Sequence, residues 1–223
     1  MTRGIFVTGT DTGVGKTFVA CALLRALASA TVRAVGMKPV AAGIEPGAAL
    51  ADDVRALQAA GNVDAAVASI NPYAFVPPIA PHVAAEQAGI TIDLECIAAA
   101  YADLATQSDV VVVEGAGGPL VPLGPRIDML DIAARLSLPV LLIVGLRLGC
   151  IHHALAAELA IRSRGLVLAG WVGNHIDPAM LEPEASLAAI AARIGVPAVA
   201  TCAWAPSGDV RLPAAACMTL GVC

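Results

Sequence analysis

No segment of this sequence is apolar for long enough to cross a membrane. The longest unbroken run, Leu138-Pro139-Val140-Leu141-Leu142-Ile143-Val144, falls far short of the roughly 20 residues that a helical span needs. Charge is also scarce: 14% of the 223 residues are charged and 58% are hydrophobic, so most of the chain must be buried in a sizeable core. The net charge of −5 and the scattering of the basic residues leave no electrostatic footprint for nucleic acid. The six cysteines, at 21, 96, 150, 202, 217 and 223, form no Cys-x-x-Cys pair and have no disulfide-like spacing. They read as reduced core thiols, with no cysteine cluster for a metal. The N-terminus enters the strand-like Gly4-Ile5-Phe6-Val7 without a signal-peptide pattern, so a cytosolic protein is expected. Linkers and internal repeats are lacking too, and the expectation is a single domain over residues 1–223.

What is present alternates. Short apolar runs at 4–8, 32–37, 109–115, 139–145, 166–174 and 197–201 are continuous rather than amphipathic, as strands buried on both faces should be. Between them lie Ala- and Leu-rich segments with helical character at 16–29, 94–107, 128–136, 151–164 and 182–194. This rhythm predicts an α/β protein with a single, doubly wound, mostly parallel sheet flanked by helices. Two stretches depart from it. Residues 46–61 read as a loop leading into a helix, and 70–82, with Pro72, Pro77, Pro78 and Pro81, as an irregular excursion.

The first strand runs into GTDTGVGKT, residues 9–17, which opens a helix. A phosphate loop has the pattern G-x-x-x-x-G-K-[ST], but here five residues separate Gly9 from Gly15. The context of strand, glycine-rich turn and helix is that of a working loop. Backbone N–H groups at a helix start bind anionic phosphates, and glycines at Gly13 and Gly15 let the chain approach closely. Lys16 would reach the terminal phosphates and Thr17 would coordinate Mg²⁺.

Lysine is the scarce cation. Eleven of the thirteen basic residues are arginine; the two lysines are Lys16 and Lys38, the latter in GMKPVAAG just after the second strand. Arginine does not replace lysine where a compact ammonium must approach a phosphate or carboxylate, so Lys38 is the candidate second catalytic cation. Glu114 ends the most apolar run at the carboxyl edge of the expected sheet, where such sheets bind ligands. It would complete a Mg²⁺ site with Thr17 and either Asp52 or Asp53. Glu182 and Glu184 start a helix and need only its macrodipole as explanation. His82, His152, His153 and His175 are not at metal spacing and read as structural or substrate-contacting.

GTDTGVGKT, MKPVAAG, VEGAGG, GLRLGCIHHA and LAGWVGN, in this order and spacing, resemble the dethiobiotin synthetase family over roughly residues 4–206. That family has the lengthened phosphate loop, which makes Gly9 its first glycine. The resemblance implies a P-loop NTPase-like fold and an ATP- and Mg²⁺-dependent ring closure on 7,8-diaminononanoate with CO₂ or bicarbonate, in biotin biosynthesis. It implies catalytic roles for Lys16, Lys38 and Thr12, and Mg²⁺ bound by Thr17, Asp53 and Glu114. The nucleotide would meet Gly13, Val14, Gly15, Lys16, Thr17, Phe18, Asp53, Glu114, Gly115, Ala116 and Gly117. Asn174 would read adenine beside His175, with Ala203, Trp204 and Ala205 as the base-flanking loop and Asp209 as a further polar contact. Thr12, Lys38 and Ala42 would face the diamine. Its carboxylate would lie on Gly149, Cys150, Ile151 and His152 across the interface of a homodimer. The family often has serine at the place of Ala42 and asparagine at that of His152, and residues from Pro206 onward match poorly. The competing reading is a regulatory or partitioning ATPase of the same broad fold. Against it, the loop lacks an early lysine and residues 206–223 have only Arg211 as a basic residue.

Overall fold

The structure is a computed structural model and describes residues 3–45, 47–204, 212 and 214–222. In chain order its elements are β1 (Arg3–Gly9), α1 (Lys16–Ser29), β2 (Ala34–Met37), β3 (Val40–Ala42), α2 (Asp52–Ala60), α3 (Val67–Ile70), β4 (Tyr73–Phe75), α4 (Pro81–Gln87), α5 (Leu94–Gln107), β5 (Val110–Glu114), α6 (Met129–Arg135), β6 (Val140–Leu146), α7 (Cys150–Ser163), β7 (Leu168–His175), α8 (Pro183–Ile194), β8 (Ala200–Cys202) and α9 (Ala214–Thr219). Six strands form one parallel sheet in the order β2-β5-β1-β6-β7-β8.

The continuous apolar runs are explained by the two cores. Along a strand successive side chains point to opposite faces. Ile5 and Val7 of β1 join Val110 and Val112 of β5 in one core, with α1 and α9. Phe6 joins Val111 and Val113 in the other, with helices α5, α6 and α7. Either face is covered, so neither register of a strand is free to be polar. The fully buried Trp171 of β7 donates its indole N–H to the Val196 carbonyl at 3.1 Å, which lets a polar tip sit in the interior.

Helix α6 is set by a capping box in which Asp128 accepts from its first turn and Asp131 returns the bond. Asp93 caps α5 by accepting from Glu95 N at 2.9 Å. The segment 70–82 differs from the irregular excursion expected of it. It carries β4, which pairs in parallel with β3 as a second, two-stranded sheet, and the start of α4, with Pro81 in the first turn where no N–H is needed. The last segment, which had no sequence reading, supplies α9, whose buried Ala216 and Cys217 pack toward α1. Cys21, Cys150, Cys202 and Cys217 are buried, Cys96 is exposed, and none of these five forms a disulfide. Burial first, and Glu114 second, push the Cys21 thiol up to about 11; burial alone does the same to Cys202. Among the described residues no helix is long and apolar enough to cross a membrane.

The ends of β1, β2, β5, β6 and β7 come out along one edge of the sheet. All strands of the sheet being parallel, their carboxyl ends share that edge, and the loops that follow them build the site.

Candidate active site

The loop after β1 begins tied to the sheet, with Thr10 N donating to the Ile143 carbonyl at 2.9 Å. It then turns through Gly13 (φ 74°) and Gly15 (φ 89°), left-handed conformations that glycine adopts without a steric penalty. Gly15 is the N-cap of α1 and no side chain caps that helix, so its first N–H groups remain available to an anion. Lys16 folds back over the loop and donates from Nζ to the Asp11 carbonyl at 2.8 Å. From below, the Asn174 amide at the end of β7 donates to the Val14 carbonyl at 2.9 Å. Asp11 accepts from Thr12 N at 2.7 Å and pairs with Arg147, from the loop after β6, at 2.5 Å. The lengthened segment is therefore pinned at both ends and in the middle.

Lys38 follows β2. Its N–H donates to the Ile70 carbonyl at 2.8 Å, and the buried Asn71 amide donates to the Lys38 carbonyl at 2.6 Å. Thus the segment 70–82 fixes the backbone from which the ammonium reaches. Lys38 Nζ lies 2.7 Å from Asp53 Oδ2 and 2.7 Å from Glu114 Oε1, and donates to the Gly115 carbonyl at 3.3 Å. Thr17 donates its hydroxyl proton to the same Glu114 Oε1 at 2.8 Å. Burial alone would lower the Lys38 pKa, but Glu114 and then Asp53 outweigh it and hold the ammonium above its ordinary value. Lys16 goes the other way. Burial, followed by the like charge of Lys38, lowers it to about 8, against the upward pull of Glu114, Asp11 and Asp53. The structure separates the two aspartates that the sequence leaves open. Asp53 faces Lys38, whereas Asp52 is exposed and pairs with Arg55 one turn along α2.

A cavity of about 790 Å³ lies over this cluster. It is lined by the phosphate loop from Thr12 to Phe18 apart from Val14, together with Lys38, Ala42, Asp53, Glu114, Ala116 and Gly117. Val14 instead points its side chain into the core. Pro78, Ile79, Pro81 and Val121 add an apolar part to the lining. Asn71 and these apolar residues had no place in the sequence reading. The proline cluster signalled a stiff segment but not where it would lie.

Gly149, Cys150, Ile151 and His152 are in a different place. They line a second cavity of about 750 Å³ with Arg147, Leu148, Met180 and Leu181, at the uncapped start of α7, where Gly149 is the N-cap. Cys150 has its side chain in the core. His175, half-buried, follows Asn174 at the end of β7, and Ala203 and Trp204 are exposed beyond β8; none of these four residues lines either cavity. Ala205 and Asp209 lie outside the described residues.

The residues present suit Mg²⁺. Thr17, Asp53 and Glu114 offer hard oxygen donors, and Glu114 Oε2 is buried with no hydrogen-bond partner. Among the described residues no cluster of three or more His, Cys, Asp or Glu side chains could hold a metal. A sparse set of this kind fits an ion that keeps waters and shares substrate phosphates.

A glycine-rich loop between the first strand and helix of a parallel sheet, with its lysine turned to the site, makes this a P-loop NTPase-like protein. In solved structures the fold recurs in a ParA family ATPase from Chlorobium tepidum (TM-score 0.56, 13% identity, covering 92% of this chain and 84% of that one). It recurs also in the MinC:MinD cell division protein complex of Aquifex aeolicus (TM-score 0.58, 16% identity, 92% and 83% covered). At such identities the likeness is one of fold alone. A family model described as an AAA domain matches residues 3–209. The ATP-dependent dethiobiotin synthetase of Nitrosospira multiformis is 51% identical over 95% of this chain and 92% of its own length, and that of Aromatoleum aromaticum is 52% identical over 87% and 88%. The chain belongs to the ATP-dependent dethiobiotin synthetase family.

Proposed function

We propose that this chain works as one P-loop domain that closes a ureido ring on 7,8-diaminononanoate, using CO₂ and MgATP and releasing ADP and phosphate, in the cytoplasmic synthesis of biotin. The observation that carries the reading is the convergence of the only two lysines on one cavity, beside two carboxylates and a threonine hydroxyl. One substrate amine takes up CO₂ as a carbamate and loses a proton. A carbamate oxygen attacks the γ-phosphorus, and the bond to ADP breaks. The second amine then attacks the carbonyl carbon of the mixed anhydride, the ring closes and phosphate leaves with the electron pair of the C–O bond.

None of these steps needs a covalent bond to the protein, so the chain's work is positioning and charge stabilisation. Lys16 and the N–H groups that open α1 hold the β- and γ-phosphates. Lys38 stands on the carbamate side and offsets the charge that grows in the transition state. Thr12, at the mouth of the cavity, contacts substrate or phosphate. Thr17, Asp53 and Glu114 would hold Mg²⁺, and the ion would supply charge stabilisation to the phosphate oxygens. Gly115, Ala116 and Gly117 lie along the nucleotide and substrate as backbone. Asn174 keeps one amide proton and its carbonyl for adenine, near His175, Ala203 and Trp204. Ala42 offers the diamine no hydroxyl.

The cavity at the start of α7 suits the substrate carboxylate by its uncapped N–H groups, contributed by a second copy of the chain. Leu148 and Leu181, 95% and 87% exposed, flank it and favour a homodimer that covers them. His152 in place of asparagine alters the contacts at that end.

The test is phosphate release from MgATP and bicarbonate with and without the diamine. One phosphate per ureido ring, and none without diamine, is expected. Hydrolysis indifferent to the diamine refutes the reading in favour of an ATPase switch.

A further inference from the structure

The Lys38 ammonium occupies the point where the proposed metal ligands meet. It is 2.7 Å from Asp53 Oδ2 and 2.7 Å from Glu114 Oε1, the same oxygen that accepts the Thr17 hydroxyl at 2.8 Å. Mg²⁺ would draw such oxygens in to about 2.0–2.1 Å, and an ammonium left on the same carboxylates would then face it closely with like charge. Nor does the pose suit the part given to Lys38 above, because an ammonium clasped by two carboxylates has its charge already neutralised. Lys16 has no such conflict; its Nζ is drawn aside to the Asp11 carbonyl at 2.8 Å.

The geometry points to a cation exchange, an inference that rests on the proposed function. Lys38 is the counter-ion of the two carboxylates and leaves them for the reacting oxygens when the metal is bound with nucleotide. Two features favour movement of the side chain alone. The Lys38 backbone is held at both its N–H and its carbonyl, by Ile70 and Asn71, while four methylenes remain to swing. Glu114 Oε2 is buried without a partner, so that carboxylate has an acceptor to offer that Lys38 does not use. Filling the metal site and arming Lys38 are then one event. Without the metal the lysine remains on the acids, away from the nucleotide.

The probe is Mn²⁺, followed by electron paramagnetic resonance on the ADP complex with no diamine present. Lys38→Met removes the competing cation, so Mn²⁺ should bind about tenfold more tightly than to the unaltered chain. Equal or weaker binding overturns the exchange. A lysine that only braced the fold would leave Mn²⁺ affinity unchanged or reduce it. The variant strips charge from buried acids, so a second measurement uses the unaltered protein. With two lysines in the chain, a sample labelled with ¹⁵N at Nζ gives two signals, told apart by Lys16→Arg. Saturating the ADP complex with Mg²⁺ should move the Lys38 signal, and a Lys38 signal that stays in place overturns the proposal. Neither readout needs ring closure. Tight Mn²⁺ binding by Lys38→Met, where the unaltered chain makes no dethiobiotin, would refute the functional reading and leave the exchange standing.

Discussion

Replacing Glu114 with glutamine tests the electrostatics of the site directly. Glu114 is 1% exposed and accepts from Lys38 at 2.7 Å and from Thr17 at 2.8 Å. Glutamine keeps the shape and a carbonyl for both donors but removes the charge that faces a buried ammonium. Breaking a buried pair by removing one partner costs about 3–5 kcal/mol. Asp53 remains as counter-ion, its side chain 27% exposed, and glutamine still accepts a hydrogen bond, which places the loss at the low end, about 3 kcal/mol. For a domain of this size each kcal/mol lowers Tm by about 2–4 °C, so a fall of about 6–12 °C is expected in nucleotide-free protein. Scanning calorimetry and urea unfolding at neutral pH measure it. In the double variant Glu114→Gln with Lys38→Met no cation is left facing a neutral partner, and at least about 1 kcal/mol of the loss should return. A single variant within about 2 °C of the parent, or a double variant with the summed loss of both single ones, would refute a buried charged pair.

Three further expectations follow from the same geometry. A Cβ on Gly15, where φ is 89°, would run into the Asn174 amide; Gly15→Ala should cost about 2–3 kcal/mol in urea unfolding and weaken ADP at least about tenfold, and unchanged ADP affinity would contradict the tight loop. The folded pKa of Lys16, about 8, lies below its ordinary 10.5, so the unfolded chain binds more protons in that window and this group's contribution to stability rises as pH climbs through it. Phosphates reverse the shift, so calorimetry in buffers of differing ionisation enthalpy should find proton uptake on ADP binding at about pH 8.5, well above the titration of the ADP phosphates; heats equal in all buffers would refute it. Finally, if the proposed homodimer uses this face, Leu148→Glu should turn it into a monomer in sedimentation, and a variant that stays dimeric would remove this face from the interface.

Much of the fold was legible because it is written locally. Alternation of apolar runs and helical segments requires only neighbouring residues, and 16–29 and 94–107 coincide with α1 and α5 to the residue. The ends of weaker elements shifted, as at β8, which begins at Ala200 rather than at 197, where its pairing with Val172 of β7 starts. Segment 70–82 was misread in part: prolines suppress the strand pattern, yet β4 needs only three residues when β3 is there to pair with it.

By itself the sequence determined the phosphate loop, whose glycines and lysine act within nine residues, the scarcity that singled out Lys38, and the placing of Glu114 at a strand end. The tertiary structure alone decided what these residues meet. Adjacent residues on a helix point about 100° apart, so packing of α2 chose Asp53 over Asp52. Asn71 under Lys38, Arg147 on Asp11 and Thr17 on Glu114 join residues 33, 136 and 97 positions apart. Such contacts depend on the order of strands in the sheet. That order is fixed by how the two cores close around β1, a property of the packed whole that no local pattern of residues contains.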